Sequence, residues 1–165
     1  MSLMVKWSAA ACAVLVALSA GYWMLRPEPM AMDPHAGMAG QGGLPRAMTS
    51  TFISGIAEGA PIVAPVLPAS LSPEAEMGKR AFDAKCAECH GENAAGKKGA
   101  APPLIHKIYE PGHHSDYAFT MAVQSGVRAH HWPFGDMPPV PGLTQADVKA
   151  IAAYVREIQR ANGIN

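Results

Sequence analysis

The sequence predicts a small all-α domain that follows an N-terminal apolar segment and a linker. No long segment alternates apolar and polar residues as a half-buried strand does, whereas three segments of the second half carry helix caps or an apolar helical repeat. Sixteen glycines and 15 prolines among 165 residues indicate extensive loops and linkers. About 90 residues that hold only three helices bury a small core, so such a domain usually needs a metal or cofactor for stability.

The charge and cysteine content exclude several classes of protein. Thirteen basic and 13 acidic residues cancel, which argues against a basic nucleic-acid-binding surface and against an acidic solvating tail. Three cysteines cannot build a multi-disulfide scaffold, and Cys86 and Cys89 are too close in sequence to close a stabilising loop. These two cysteines therefore need a chemical explanation.

The first 26 residues resemble a membrane anchor. Residues 7–25 carry no charge and lie between Lys6 and Arg26, and a helix of that length rises about 28 Å against a hydrocarbon core of ~30 Å. Aromatic residues near the end of the run suit a membrane interface. We expect residues 1–26 to form a single-pass transmembrane signal-anchor; the alternative is a cleaved signal peptide.

Residues 27–71 read as a linker. Seven prolines and six glycines interrupt any helical repeat, which predicts an extended, flexible tether. Its later part is too apolar for a fully solvated chain, so we expect that part to lie partly docked against the folded domain. The residues concerned are Phe52, Ile53, Ile56, Ile62, Val63, Val66 and Leu67.

The early linker also holds a possible copper site. Thioether and imidazole groups together favour copper, and four such side chains crowd within nine residues: Met30, Met32, His35 and Met38. The alternative is that methionine and alanine are simply frequent here, because a flexible loop loses entropy when it orders around a metal.

The folded domain, residues 72–165, begins with a capped helix. Ser72 suits the N-cap, Pro73 the first helical position, and two acidic residues favour the positive end of the helix dipole. We expect this helix to run to about Lys85. A second helix is expected after Ser115 and before Gly126, with an inner face of Tyr117, Ala118, Met121 and Ala122.

The last helix has the strongest pattern. Thr144 and Asp147 form a capping-box pattern, and the helix should stop near Asn162-Gly163. Apolar residues then recur with helical spacing at Val148, Ile151, Ala152, Val155 and Ile158.

The chemistry lies in Cys86-Ala87-Glu88-Cys89-His90. C-x-x-C-H is the pattern of c-type haem attachment, in which two cysteine sulfurs bond the porphyrin and the adjoining imidazole reaches its iron. A redox dithiol expects a βαβ context, which is absent here. A zinc site needs further ligands, and no second cysteine pair exists. The sequence therefore predicts one covalent haem c held through Cys86 and Cys89.

From Ser72 to Arg160 the chain resembles the class I cytochrome c family. The motifs occur in family order: Gly78 and Phe82 before the haem motif, Pro102-Pro103-Leu104 after it, Gly135-Asp136-Met137-Pro138-Pro139, and Ala153-Tyr154-Val155 in the closing helix. The resemblance implies three main helices and loops around one haem. It also implies that the first and last helices cross where Gly78 and Phe82 meet Tyr154.

The resemblance further implies roles for the site residues. His90 would be the proximal iron ligand, its other ring nitrogen held by a carbonyl from the Pro102-Pro103 region. Met137 would be the distal ligand, the alternative being a packed core methionine. For Arg128, Trp132, His130 and His131 the alternatives are solvated loop residues or neighbours of the haem propionates, and we expect Arg128 or Trp132 to donate to a propionate. Two histidine pairs flank the middle helix, at His113-His114 and His130-His131. A histidine in place of Met137 and a paired-histidine copper site stay open as alternatives.

The implied function is electron transfer rather than catalysis. Iron with two axial protein ligands has no open position for a substrate, so we expect a carrier of single electrons between redox proteins. The rivals are a haem subunit of a larger membrane oxidoreductase, a copper-linked redox protein, and a gas-binding or peroxidatic haem protein. We expect a single-pass protein of the bacterial inner membrane with the haem domain in the periplasm, or a soluble periplasmic protein after cleavage.

Overall fold

The computed structural model describes residues 52–165, and its helices pack around one core. In chain order they are α1 (Pro73–Lys85), α2 (Ala87–His90), α3 (Asp116–Ser125) and α4 (Gln145–Ala161), with 3₁₀ turns at Glu92–Ala94 and Lys107–Tyr109. Among these described residues the only β-pairing consists of isolated bridges, so the all-α class is confirmed there.

The anchor expected at residues 1–26, the linker up to residue 51 and the copper ligands expected from Met30 to Met38 lie outside the described residues. Among residues 52–165, none of the helices combines the length and the apolar character that crossing a bilayer requires.

Helix α1 begins and ends where the sequence predicts. The Ser72 hydroxyl accepts a hydrogen bond from the Ala75 backbone N–H, and Pro73 occupies the first helical position. These local signals set the helix start, because the first backbone N–H groups of a helix need partners outside it.

Helices α1 and α4 cross in close contact at Gly78. A Cβ built on Gly78 would lie 1.8 Å from the Ala150 carbonyl oxygen, so only glycine permits this approach. The rings of Phe82 and Tyr154 pack beside the crossing with centroids 5.5 Å apart. The predicted crossing is confirmed, and both rings belong to the main core.

Helix α4 carries the expected cap and the expected core face. The Thr144 hydroxyl accepts from the Asp147 N–H, and the Asp147 carboxylate accepts from the Thr144 N–H at 2.8 Å. The five apolar residues predicted to face inward are all buried: Val148, Ile151, Ala152, Val155 and Ile158.

Helix α3 has the predicted bounds, but its predicted inner face is only partly right, since Ala118, Met121 and Ala122 are half-buried and Tyr117 is exposed. Tyr117 is 63% exposed, whereas Thr120 and Val123 are the buried residues of the helix. Side chains on a helix tilt toward its N-terminus, so the first-turn Tyr117 extends past the end of the packed surface. Met121, expected in the core, is half-buried.

Residues 52–71, which we call the strap, pack on the helical domain. Ile53 and Ile62 are buried in a second cluster with Ile108 and Trp132. The Ile62 and Val63 N–H groups donate to the Ala95 carbonyl. Phe52, Val66 and Leu67 remain exposed. The strap thus docks through some of its apolar residues and presents the others to solvent.

Arg156 ties the loop before α3 to α4. Its side chain is buried, and it donates to the Asp116 carboxylate at 2.7 Å, to the Tyr109 carbonyl at 2.6 Å and to the His114 carbonyl. A guanidinium offers several donors in a rigid plane, so one side chain satisfies acceptors from both ends of this loop. The loop that carries two histidines is therefore held in a defined position.

Candidate cofactor site

The two cysteines and the histidine lie on a continuous turn of helix. The Cys86 N–H donates to the Phe82 carbonyl at 2.8 Å, which joins α2 directly to the end of α1. The His90 N–H in turn donates to the Cys86 carbonyl at 2.8 Å. Since α1 is fixed by its crossing with α4, the motif is attached to the most rigid part of the domain.

The two cysteines lie in different surroundings. Cys86 is half-buried, whereas Cys89 is exposed. Burial, and the neighbouring Cys89 charge to a lesser degree, raise the pKa of Cys86 to about 11. A raised pKa disfavours the thiolate, which is the reactive form in a nucleophilic dithiol.

The His90 imidazole is held in one tautomer. Its Nδ1 lies 2.9 Å from the Pro102 carbonyl oxygen. A carbonyl only accepts hydrogen bonds, so Nδ1 carries the proton and Nε2 keeps the lone pair that a metal needs. Burial lowers the pKa of His90, which also favours the neutral, ligating form. Pro102, rather than Pro103, supplies the carbonyl.

Two glycines let the chain return from His90 to Pro102. Gly91 has φ of +73°, and a Cβ there would lie 2.6 Å from the Gly96 carbonyl oxygen. Gly96 has φ of +74°, and its Cβ would lie 2.5 Å from the Pro103 nitrogen. Sequence reasoning missed both positions. Their signal was the glycines between the C-x-x-C-H motif and the proline pair, of which there are three, Gly91, Gly96 and Gly99.

Met137 closes the loop that follows α3. It forms an antiparallel bridge with Val127, with both N–H to carbonyl distances at 2.9 Å. Asp136 accepts from the Ala129 N–H at 2.8 Å and tightens the same loop. Gly126 permits the pairing, since a Cβ there would lie 2.4 Å from the Met137 carbonyl oxygen. The half-buried Met137 thus sits at a backbone position fixed by hydrogen bonds.

Trp132 and Arg128 lie on that same loop, residues 127–137, in different environments. Arg128 is exposed, and its carbonyl accepts from His130 Nδ1 at 2.8 Å. Trp132 is 3% exposed, and its buried indole N–H has no acceptor in good hydrogen-bond geometry, although the Tyr109 hydroxyl lies close enough for a weak hydrogen bond. A buried donor without an acceptor is unusual in a native protein. It therefore offers a hydrogen bond to an anionic group such as a haem propionate.

The predicted site residues fall into two groups. The first joins Cys86, Cys89, His90 and Pro102 around the end of α1 and α2. The second places Arg128, Trp132 and Met137 on the loop after α3. The donor set, two thiols, one oriented imidazole and one thioether, together with the unpaired indole N–H, fits a covalently held haem.

The structure also assembles histidines that the sequence separates. His113 and His114 precede α3 and His131 follows it, yet their ring nitrogens lie within 4.8 Å of one another. Sequence reasoning treated the two histidine pairs separately. No local pattern could predict this meeting, because it depends on how the chain returns after α3.

Comparison with known proteins agrees with this chemistry. A family model described as Cytochrome c matches residues 75–159. Two similar proteins are both described as Cbb3-type cytochrome c oxidase subunit CcoP. The one from Helicobacter pylori (strain ATCC 700392 / 26695) is 32% identical over 80 residues, 48% of this chain and 26% of its own length. The one from Azospirillum brasilense is 36% identical over 90 residues, 51% of this chain and 28% of its own length.

This chain therefore matches only about a quarter of the length of these two relatives. No solved structure shows a significant match to it.

Proposed function

The chain belongs to the cytochrome c family, and from this membership we propose that it passes single electrons to a membrane-bound terminal oxidase. Its cofactor is haem c, attached through the C-x-x-C-H motif of Cys86 to His90. Haem c supplies a one-electron ferric/ferrous couple. The protein's own contribution is to hold the group, set its ligands and present it to redox partners.

The observation that carries the proposal is the hydrogen bond between His90 Nδ1 and the Pro102 carbonyl. A metal-binding histidine almost always donates its second ring nitrogen in this way. The bond fixes the ring orientation and raises the basicity of Nε2. Cys86 and Cys89 lie in the same helical turn and would hold the porphyrin covalently beside this oriented ligand.

Met137 is the proposed second axial ligand. Its backbone is fixed by the pairing with Val127, so its thioether needs little ordering when it binds iron. A thioether is a soft ligand that favours the ferrous state and raises the reduction potential. With both axial positions filled by protein, we propose an electron carrier rather than a gas-binding or peroxidatic protein.

Trp132 and Arg128 are the proposed propionate contacts. The buried indole N–H of Trp132 can donate a hydrogen bond to a propionate, because a carboxylate is a strong acceptor. Arg128 is exposed on the same loop and could offer a positive charge from the solvent side. These two residues would hold the haem propionates.

The names of the similar proteins support an oxidase as partner. Both are described as subunits of a cytochrome c oxidase, which makes a fixed subunit of an oxidoreductase complex the second candidate. The strap has exposed apolar residues that a partner subunit could cover in such a complex. They are Phe52, Val66 and Leu67. Retention of the oxidase during purification in mild detergent favours the fixed subunit, whereas clean separation favours the mobile carrier.

The proposed location follows from the same reasoning. A single membrane span at residues 7–25 would hold the haem domain on the periplasmic side of a bacterial inner membrane. Tethering raises the effective concentration of donor and acceptor in the same membrane. The alternative, a soluble periplasmic protein after cleavage, predicts an N-terminus beyond residue 20 in the mature chain.

Electron delivery can be tested with the reduced full-length protein. Mixed with aerobic membranes that contain a terminal oxidase, it should be reoxidised, and cyanide should stop the reaction. Wild-type protein that stays reduced while an unrelated soluble cytochrome c is oxidised by the same membranes would contradict the proposal.

A further inference from the structure

Three histidines outside the haem-binding residues form a compact cluster. His113, His114 and His131, which we call the three-histidine cluster, each offer one ring nitrogen within 4.8 Å of the other two. His113 and His114 are half-buried and His131 is buried. The segments before and after α3 therefore both contribute to one group of potential metal ligands, and haem attachment uses none of them.

The spacing of two of these nitrogens suits a shared metal ion. His113 Nε2 and His131 Nε2 lie 3.4 Å apart. Two imidazole nitrogens that bind one ion at about 2.0–2.1 Å are separated by about 3.4 Å in tetrahedral geometry and by about 2.9 Å at neighbouring corners of the square arrangement that Cu²⁺ prefers. This pair therefore needs a movement of at most about 0.5 Å to bind one ion together. The His114 ring nitrogen lies within 4.8 Å of the other two nitrogens, so a small side-chain rotation would bring it to the same ion.

His114 makes the hydrogen bond that a metal-binding histidine usually makes through its second ring nitrogen. Its Nδ1 donates to the Ile108 carbonyl oxygen at 2.7 Å. The proton is therefore on Nδ1 and the lone pair on Nε2, the same arrangement that His90 has with Pro102. The backbone of His114 is also fixed, since Arg156 donates to its carbonyl.

We propose that the three-histidine cluster binds one divalent late first-row transition-metal ion, with Cu²⁺ the most tightly held, in addition to haem c. Three imidazoles without a carboxylate select such ions over Mg²⁺ and Ca²⁺, which prefer oxygen ligands. Among late divalent ions, affinity for nitrogen sites peaks at Cu²⁺. The fourth coordination position is left for water or a small ligand.

The test is a Cu²⁺ titration of the full-length, haem-loaded protein. All proteins carry Met30→Leu, Met32→Leu, His35→Gln and Met38→Leu, so that the linker cannot supply copper ligands. We expect one Cu²⁺ per chain, with affinity at least about tenfold weaker in His113→Gln and in His114→Gln. His130→Gln is the matched control, because His130 stacks beside the cluster but is outside it. It should bind Cu²⁺ as the parent does.

A spectroscopic count of ligands keeps the proposal testable if a variant folds poorly. Electron paramagnetic resonance of the copper-loaded parent should show coupling to three imidazole nitrogens. The absorption spectrum of the haem should be the same in His113→Gln as in the parent.

Any of three copper measurements would overturn the proposal: no saturable one-to-one binding, equal affinity in His113→Gln and His130→Gln, or coupling to fewer than three nitrogens. A changed haem spectrum in His113→Gln would also overturn it, because it would assign this residue to the haem iron.

Discussion

Gly78 allows α1 and α4 to pack in close contact because it has no side chain. A Cβ there would overlap the Ala150 carbonyl, which belongs to the backbone of α4 and cannot rotate away. The sequence predicted this role because a glycine stands four residues before Phe82 on α1, in the order of the family motifs.

Gly78→Ala should destabilise the protein by about 2 kcal/mol or more. The steric overlap lowers the free energy of unfolding by about 3 kcal/mol. The better helix propensity of alanine offsets about 1 kcal/mol of this loss. Guanidinium unfolding of the haem-loaded protein measures the loss. The control is Gly112→Ala, because a Cβ at Gly112 meets nothing within 4 Å. Equal stability of the two variants would contradict the proposed crossing.

Individual ligand positions were predictable to different degrees. Cys86, Cys89 and His90 follow from a contiguous motif, because the chemistry needs those residues in one helical turn. The choice between Pro102 and Pro103 was not predictable. It depends on the path that Gly91 and Gly96 allow the backbone to take, and the two prolines are chemically alike.

At the scale of elements, the capping box of α4 links a local sequence pattern to pH-dependent stability. Hydrogen bonds from the Thr144 side chain and backbone lower the pKa of Asp147 below its ordinary value of 3.8. A carboxyl group whose pKa is lowered by folding stabilises the folded state when charged. Its contribution is therefore present above about pH 4 and is lost as the pH falls through the folded-state pKa.

Asp147→Asn should therefore reduce stability at pH 7 and make little difference at pH 3. Denaturant midpoints of wild type and variant, measured across this range, give the difference at each pH. Thr144→Ala removes the other half of the box and should cost about 1 kcal/mol at pH 7. A wild-type-to-Asp147→Asn difference that is constant from pH 7 to pH 3 would contradict the assigned role of the carboxylate.

Helix ends were predictable because their causes are local. Ser72 with Pro73, and Thr144 with Asp147, satisfy backbone groups within three residues, so the sequence alone carries the information. The inner face of α3 was not predictable in the same way. Its helix offers apolar residues on more than one side, and the packing against α4 decides which are buried.

At the scale of the whole molecule, the charge balance bears on how partners find the protein. Residues 72–165 carry ten basic and ten acidic residues, as many of one sign as of the other. Association is accelerated by long-range fields only where one sign of charge dominates a surface. The domain therefore lacks a net charge that would steer it toward an oppositely charged partner.

The rate of reoxidation by oxidase-containing membranes should accordingly depend weakly on salt. The electrostatic screening length falls from roughly 30 Å at about 10 mM ionic strength to below 10 Å at about 200 mM. Over this range we expect the rate constant to change by about threefold or less. Stopped-flow measurement of the second-order rate constant tests this. A fall of tenfold or more would reveal a charged docking face and contradict the expectation.

Contacts between distant parts of the chain were the least predictable feature. The strap was expected to dock because it is apolar, but burial of Ile53 and Ile62 against Ile108 and Trp132 needed the structure. The three-histidine cluster likewise joins residues on both sides of α3. Periodicity and motifs describe neighbours in sequence, whereas these contacts depend on the folded path.

We propose that His90 and Met137 hold the haem iron of an electron carrier. The most direct test is the absorption spectrum of the oxidised protein, in which sulfur-to-iron ligation gives a weak long-wavelength band, together with its reduction potential. The band should be present in wild type and in Met121→Ala. It should be lost in Met137→Ala, with a potential lower by on the order of 0.1 V. A band that survives in Met137→Ala, or its absence from a wild type whose reduced form binds carbon monoxide readily, would contradict the account.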